Sequence, residues 1–157
     1  MNAEIEIPVR HADWADPEIA LPDYASVGAA GADLRANFPS DDRPDGLTLP
    51  PLGRAIVPTG LHMAIPEGFE MQIRPRSGFA AKHGVTLLNS PGTIDADYRG
   101  AVGVLLVNLG DAPVTVTHGM RIAQAVFAAV TRGRFVPRDT LDDTVRGEGG
   151  FGSTGAG

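Results

Sequence analysis

The chain has 157 residues, 43% hydrophobic and 20% charged, which is enough for one globular domain with a core and short for two. Its net charge of −6 argues against broad nucleic-acid binding, and the absence of cysteine excludes disulfides, thiolate nucleophiles and cysteine-type zinc sites. No apolar run could span a bilayer, and the first residues lack the pattern of a signal peptide, so we expect a cytoplasmic protein without membrane contact.

The sequence is rich in turn-forming residues, with 20 glycines and 13 prolines, which favours short strands over helices. Residues 4–10 alternate between apolar and charged side chains, which is the period of a half-buried strand. A run of small residues then leads to Asp33 at the start of a second predicted strand. Such small residues let the backbone approach another group closely.

Four apolar segments follow one another at a spacing of roughly eight to ten residues, which is typical of β-sandwiches and barrels. They are separated by Pro-Pro, Pro-Thr-Gly and Pro-Glu-Gly, and they cover residues 47–52, 54–57, 61–65 and 69–73. The sequence therefore predicts an all-β fold in this part of the chain.

One short helix is predicted over residues 78–84, because a stretch of one or two turns lies between two glycines. Its N-terminus follows Arg76 and Ser77. Free backbone N–H groups and a partial positive charge at a helix N-terminus suit a phosphate, so the stretch predicts an anion site. Helix capping alone would also account for the serine.

Residues 85–89 and 101–107 have the composition of two strands and predict a β-hairpin. The connecting turn, residues 92–100, carries Asp95 and Tyr98 three positions apart. This pair is either part of a functional site or an ordinary solvated turn. The rest of the chain decides between these two interpretations.

Two more strands are predicted before the C-terminal segment. Residues 113–117 alternate between apolar and polar side chains. Residues 120–130 have a composition that a helix could use, but a strand fits the rhythm of the neighbouring segments better.

The C-terminal segment changes character, with five glycines and a single aromatic residue in residues 147–155. Such a segment cannot fold on its own, so it is either a disordered end or an arm that closes over a ligand. A disordered end has no need for Phe151 between glycines. We therefore favour a mobile arm in which Phe151 supplies a flat face and Arg146 binds phosphate.

Five motifs carry a family resemblance: AGADL at 30–34, RPRSG at 74–78, GTIDADYRG at 92–100, GMRIAQ at 119–124 and RGEGGFGSTG at 146–155. Their order and spacing resemble the trimeric dUTP pyrophosphatase (dUTPase) family from about residue 22 to the end. The resemblance implies a β-barrel of distorted jelly-roll type over residues 1–137. It also implies a flexible Gly-rich arm, residues 138–157, that crosses to a neighbouring subunit of a homotrimer and closes over an active site.

The resemblance further implies hydrolysis of dUTP to dUMP and pyrophosphate, by in-line attack of water at the α-phosphate with Mg²⁺. Asp95 would orient and deprotonate the water, Tyr98 would pack under the deoxyribose, and Asp33 would bind the metal through water. Arg121 is interpreted as structural. The other substrate-binding residues that the resemblance implies are Arg76, Ser77, Gly78, Asn89, Thr93, Ile94, Gln124, Arg146, Phe151, Gly152, Ser153 and Thr154.

Three other functions are weighed against this one. A dCTP deaminase-related enzyme needs a glutamate proton shuttle in the strand after the hairpin, and Leu105 stands at the matching position. A nucleotide-binding regulatory trimer would not need intact acids and arm, although a second binding role is compatible with them. A purely structural jelly roll does not explain the Gly-rich arm.

Overall fold

The computed structural model describes residues 4–150, and these residues form a nearly all-β structure, as the sequence predicts. The single α-helix of this part of the chain, α1, is short, and a 3₁₀ turn at Ser40–Asp42 lies in the polar loop. The strands are β1 (Val9–His11), β2 (Ala32–Arg35), β3 (Leu47–Leu49), β4 (Arg54–Met63), β5 (Phe69–Arg74), β6 (Val85–Leu87), β7 (Gly92–Ile94), β8 (Ala101–Asn108), β9 (Val114–Val116) and β10 (Arg121–Ala129), and α1 is Ser77–His83.

The strands form two four-stranded antiparallel sheets and a two-stranded ribbon. The first sheet has the order β1-β4-β8-β6, the second has the order β2-β10-β5-β7, and β3 pairs with β9. Alternate side chains of both large sheets point into one core, which includes the fully buried Leu106 of β8 and Met71 of β5. This distorted jelly roll follows from the period-two patterning, because each sheet has one apolar face to bury.

The prediction of two strands at 54–57 and 61–65 is wrong, because β4 runs without a break from Arg54 to Met63. The Pro-Thr-Gly triplet forms a β-bulge inside it, where the register to β8 shifts between Pro58 and His62. Gly60 has φ of 69° in the bulge, and the Thr59 hydroxyl donates a hydrogen bond to the Val102 carbonyl at 2.7 Å. The turn-forming residues thus mark a bulge within the strand, and the Thr59 hydroxyl in this bulge has a hydrogen-bond partner.

The predicted hairpin at 85–107 is also only partly correct. Its outer strands do pair, since β6 lies antiparallel to β8 in the first sheet. The turn, however, contains β7, which pairs with β5 in the second sheet. β6 ends at Leu87, so Asn89 lies outside the strand predicted over 85–89. The connection crosses from one sheet to the other because Ile94 packs against the core between them.

Two predicted strands are shorter in the structure. β1 covers only Val9–His11, because its pairing partner β4 ends at Met63. The alternation at residues 4–7 is nevertheless visible as half-buried isoleucines and exposed glutamates. β3 ends at Leu49, before two prolines that have no N–H group to donate to a ladder.

The remaining elements agree with the sequence. α1 is terminated by Gly84, the residue after His83, whose φ of 67° is the left-handed conformation common at helix C-termini. β10 is a strand, as its neighbours suggested. Residues 131–150 form no helix or strand, and nearly all of them are exposed. Within residues 4–150, no helix is long and apolar enough to cross a membrane.

Candidate active site

A polar cluster lies where β2, β10 and β5 run side by side. Gln124 of β10 is opposite Asp33 of β2 on one side and Arg74 of β5 on the other. The Asp33 carboxylate accepts a hydrogen bond from Arg76 Nε at 2.8 Å through Oδ1 and one from Arg121 Nη1 at 3.1 Å through Oδ2. We call Asp33, Arg76, Arg121 and Gln124 the Arg76 cluster. Two guanidinium groups and one carboxylate leave it positively charged, which favours an anion.

The sequence analysis interpreted Arg121 as structural but did not predict its partner. The Arg121 side chain binds Asp33, and its backbone carbonyl accepts a hydrogen bond from Arg76 Nη1 at 3.3 Å. No local signal could have found this contact, because Asp33 and Arg121 are 88 positions apart. The register of β2 against β10 brings them together.

Gln124 is fixed by its own hydrogen bond rather than free to turn. Its Nε2 donates to the Pro75 carbonyl at 2.9 Å, directly before Arg76. Gly31 makes room for this side chain, since a methyl group there would overlap Gln124 Oε1 and come within 3.0 Å of its Cδ. The small residues before Asp33 therefore do permit a close approach, and the approaching group is the Gln124 amide.

α1 begins next to the Arg76 cluster, as the sequence predicts. Arg76 is its N-cap residue, and the Arg76 carbonyl accepts hydrogen bonds from Phe79 and Ala80. No side chain caps this N-terminus, and Ser77 and Gly78 are exposed. Phe79 is buried in the core and holds the helix in place. The structure thus brings together Asp33, Arg76, Gln124 and the two exposed residues at the start of α1.

A second group of candidate residues surrounds β7, and we call Asn89, Asp95 and Tyr98 the β7 group. Asp95 is exposed, and its carbonyl accepts a hydrogen bond from the Tyr98 N–H at 3.1 Å. The Tyr98 hydroxyl donates to the Ala101 carbonyl at 3.0 Å. Asn89 lies against the buried Gly92, where an added methyl group would meet its Nδ2 at 3.2 Å. Of the other two predicted residues in β7, Thr93 is exposed and Ile94 is half-buried.

Asp95 and the Arg76 cluster lie toward opposite ends of the β5–β7 ladder, whereas Asn89 lies against Gly92, at the end nearer Arg74. Ile94 is opposite Met71, so Asp95 follows at that end, whereas Arg76 lies beyond the other end of β5 at Arg74. Positions 71 and 76 are five residues apart, roughly 17 Å at about 3.4 Å per residue of extended chain. A single chain therefore holds Asp95 well away from Arg76.

The predicted arm residues are only partly within the described chain. Arg146 is exposed, and its Nε donates to the Gly149 carbonyl at 2.8 Å. The other predicted arm residues, Phe151, Gly152, Ser153 and Thr154, lie outside the described residues. Their roles stay predictions.

A third polar cluster lies away from these groups and fastens the loop after β1. Asp16 Oδ2 is 3.2 Å from His118 Nε2 and 3.4 Å from Arg43 Nη1. The Glu18 backbone N–H, and after it the His118 side chain, lower the pKa of Asp16 from its ordinary value, because both stabilise the carboxylate. The buried Asn37 side chain adds two hydrogen bonds to the backbone of Asp16. This cluster has a structural role in joining loops.

Comparisons with known proteins agree with the motifs. The dUTPase family model matches residues 17–155. The chain is 62% identical to the deoxyuridine 5'-triphosphate nucleotidohydrolase of Dinoroseobacter shibae, over 96% of this chain and 97% of the relative. It is 60% identical to the protein of the same name from Roseobacter denitrificans, over 98% of each chain.

Solved structures support the same fold. The dUTPase of Staphylococcus bacteriophage 80alpha with dUPNHPP has a TM-score of 0.82 to this chain at 22% identity, covering 96% of this chain and 99% of that one. A mutant dUTPase from phage phi11 of S. aureus, which coordinates a structural Mg(II) ion, has a TM-score of 0.73 at 18% identity, over 88% and 100% of the two chains. With the family model matching most of its length and relatives of about 60% identity along almost all of it, the chain belongs to the dUTPase family.

Proposed function

We propose that this protein hydrolyses dUTP to dUMP and pyrophosphate, by attack of water at the α-phosphate. The observation that carries the proposal is the near-full-length identity of about 60% to relatives named deoxyuridine 5'-triphosphate nucleotidohydrolase. The Arg76 cluster supports it, because a triphosphate needs a positively charged surface with fixed donors. Hydrolysis of a phosphoanhydride requires no covalent intermediate, so a positioned water, a base and such donors are sufficient.

In this proposal Asp95 is the general base. Its exposed carboxylate has room for a water molecule, which it orients and deprotonates. Arg76 and Gln124 hold the phosphate chain together with Ser77 and Gly78 at the uncapped start of α1.

The β7 group binds the nucleoside. Asn89 and the backbone at Thr93 and Ile94 read the edge of the uracil ring. Tyr98 packs against the deoxyribose, where its ring leaves no room for a 2′-hydroxyl. The connection from Asp95 to Tyr98 is short and is closed by a hydrogen bond of 3.1 Å. It supports these roles because it keeps the general base, Asp95, next to the residue that contacts the sugar.

The residues present fit Mg²⁺ held through water. Among residues 4–150, no three histidine, aspartate or glutamate side chains form a metal cage. Mg²⁺ is commonly held by one or two carboxylates together with substrate phosphates, and it keeps several waters. Each oxygen of Asp33 accepts one guanidinium hydrogen bond and retains capacity for another donor, which suits a metal-bound water. When bound, the ion would neutralise phosphate charge.

We further propose that the active protein is a homotrimer with active sites shared between subunits. The separation of roughly 17 Å between the Asp95 end of β7 and Arg76 supports sharing, because Asp95 and Arg76 must act on one nucleotide. The chain also exposes apolar surface after β10, including Phe135, Leu141 and Val145. A groove of about 1370 Å³, lined in part by Ile7, Val9, Leu21, Phe69 and Phe127, offers apolar surface that a neighbouring subunit could cover.

The arm, residues 138–157, completes the proposed site. Arg146 would bind the outer phosphates, Phe151 would lie against the uracil, and Gly152, Ser153 and Thr154 would add donors. The exposure of residues 138–148 on their own subunit supports an arm that acts on another one. A cytoplasmic location stays a prediction from the sequence.

Replacement of Asp95 by asparagine tests the proposed base. The change keeps the shape of the side chain and removes its basicity, so turnover of dUTP with Mg²⁺ should fall by at least about a hundredfold while substrate binding survives. Asp97→Asn is the matched control, since it removes the same charge from an exposed position in the same loop. Equal losses in both variants, or near-normal turnover in Asp95→Asn, would contradict the assignment.

A panel of deoxynucleoside triphosphates separates the alternative functions. Pyrophosphate release from dUTP alone is the expected result. Ammonia release from dCTP would indicate a deaminase instead, and the structure argues against it because Leu105 is half-buried in β8 opposite Ile56, without a carboxylate there. Nucleotide binding without any product would indicate a regulatory trimer.

A further inference from the structure

The backbone conformation at Gly100 does not require a glycine. Within residues 4–150, the glycines with positive φ angles are Gly46, Gly60, Gly68, Gly84, Gly119 and Gly147, and Gly100 is not one of them. An alanine would therefore fit the backbone conformation at position 100. Such a replacement at a compatible site usually stabilises a protein slightly, because it restricts the unfolded chain.

The side chain of Tyr98 supplies the reason instead. A methyl group added at Gly100 would overlap the Oη and Cζ atoms of Tyr98 and lie 2.9 Å from its Cε2. Real Cβ atoms do not approach other atoms this closely. The edge of the Tyr98 ring thus lies directly over the Gly100 backbone, in space that every other residue type would fill.

The hydroxyl end of the ring, which lies over Gly100, is also held by a hydrogen bond. The hydroxyl donates to the Ala101 carbonyl at 3.0 Å, and the missing side chain at position 100 leaves the room in which this hydrogen bond forms. Tyr98 nevertheless remains 42% exposed, which leaves ring surface for a ligand. A ring that excludes a 2′-hydroxyl by its position must be unable to move aside, and both contacts restrain it.

We propose that Gly100 is a positioning residue that sets the selectivity for deoxyribose over ribose, acting through the Tyr98 ring. This inference rests on the proposed function, which puts Tyr98 against the sugar. A side chain at position 100 displaces the Tyr98 ring from the Gly100 backbone and breaks the hydrogen bond from the Tyr98 hydroxyl to the Ala101 carbonyl. The displaced ring can then yield to a 2′-hydroxyl, and UTP becomes a better substrate relative to dUTP.

The test compares kcat/KM for dUTP and for UTP in Gly100→Ala and in the matched control Gly28→Ala. Gly28 also lacks a positive φ, and a methyl group there would meet nothing within 4 Å. Gly100→Ala should reduce the dUTP-to-UTP selectivity by at least about tenfold, with little change in melting temperature. Gly28→Ala should keep the selectivity of the unmodified protein.

A double variant shows whether Gly100 acts through Tyr98. If it does, Gly100→Ala should reduce selectivity no further once Tyr98→Ala is present, because the ring that it displaces is gone. Additive losses in the double variant would overturn the proposal. Unchanged selectivity in Gly100→Ala would overturn it as well, while activity on dUTP would still support the proposed function.

A ligand-free measurement keeps the inference testable if dUTP is not hydrolysed. The chain has two tyrosines, so 3-fluorotyrosine labelling gives two ¹⁹F NMR signals, which Tyr98→Phe assigns. Gly100→Ala should shift the Tyr98 signal and leave the Tyr24 signal in place, whereas Gly28→Ala should leave the Tyr98 signal unchanged. A Tyr98 signal that does not respond to Gly100→Ala would overturn the positioning role. If the unmodified protein did not hydrolyse dUTP, the proposed function would be overturned, and with it the role of Gly100 in sugar selectivity.

Discussion

Mixing two inactive variants would show whether neighbouring subunits complete each active site. Asp95→Asn removes the proposed base, and Arg76→Ala removes a phosphate contact at the other end of the β5–β7 ladder. In one chain these positions lie roughly 17 Å apart along the strand direction, so the shared-site proposal takes them from different subunits. Each variant alone should be nearly inactive.

The expected recovery follows from the statistics of assembly. In randomly mixed trimers with equal amounts of both variants, half of the chains supply an intact Arg76 and half supply an intact Asp95. A site that takes one residue from each of two neighbours is therefore complete in about a quarter of cases. The mixture should show about a quarter of the unmodified activity, measured as pyrophosphate release from dUTP with Mg²⁺.

A matched mixture provides the control. Asp33 and Arg76 form an ion pair of 2.8 Å within one chain, so a site takes both from the same subunit. Mixing Asp33→Ala with Arg76→Ala should therefore restore nothing. Native mass spectrometry must first show that mixed trimers form. Mixed trimers of Asp95→Asn and Arg76→Ala without recovered activity, or a monomer in light scattering, would refute the reasoning.

Two further predictions concern the arm and the Asp16 cluster. Removing residues 146–157 should lower dUTP turnover at least about tenfold and leave the urea midpoint unchanged, because residues 146–150 are largely exposed; full activity would show that the arm is passive. The lowered pKa of Asp16 should stabilise the fold above about pH 4, and this contribution should disappear as the pH falls through the folded-state pKa. Asp16→Asn should accordingly destabilise the protein at pH 7, with a difference in urea midpoint that narrows toward pH 3; a difference independent of pH would contradict this.

Local patterns were sufficient for the class of fold and for most of its elements. Alternation predicted β9, the rhythm of neighbouring segments predicted β10, and glycines at both ends predicted α1. The motifs also identified the family, because each one, such as RPRSG, is a short contiguous run that can be recognised in the sequence alone. These signals depend on residues that are close in sequence, so they can be interpreted without knowledge of the whole fold.

The same local signals failed where the core decided the outcome. Pro-Thr-Gly at 58–60 has the composition of a turn but forms a bulge, because β8 continues to pair on both sides of it. Gly92–Ile94 was expected inside a turn, yet it joins the second sheet because Ile94 packs between the sheets. Competition for buried surface outweighs turn propensity at both positions.

The sequence by itself determined which chemical groups this protein carries, and the tertiary structure alone decided which of them meet. Asp33 meets Arg121 because β2 and β10 pair in one register, a contact across 88 positions. Pairing of β7 with β5 turns Asp95 away from Arg76, and the fold of one loop puts the Tyr98 ring over Gly100. Strand register is fixed by how two apolar sheet faces fill a common core, and no short stretch of sequence contains that information.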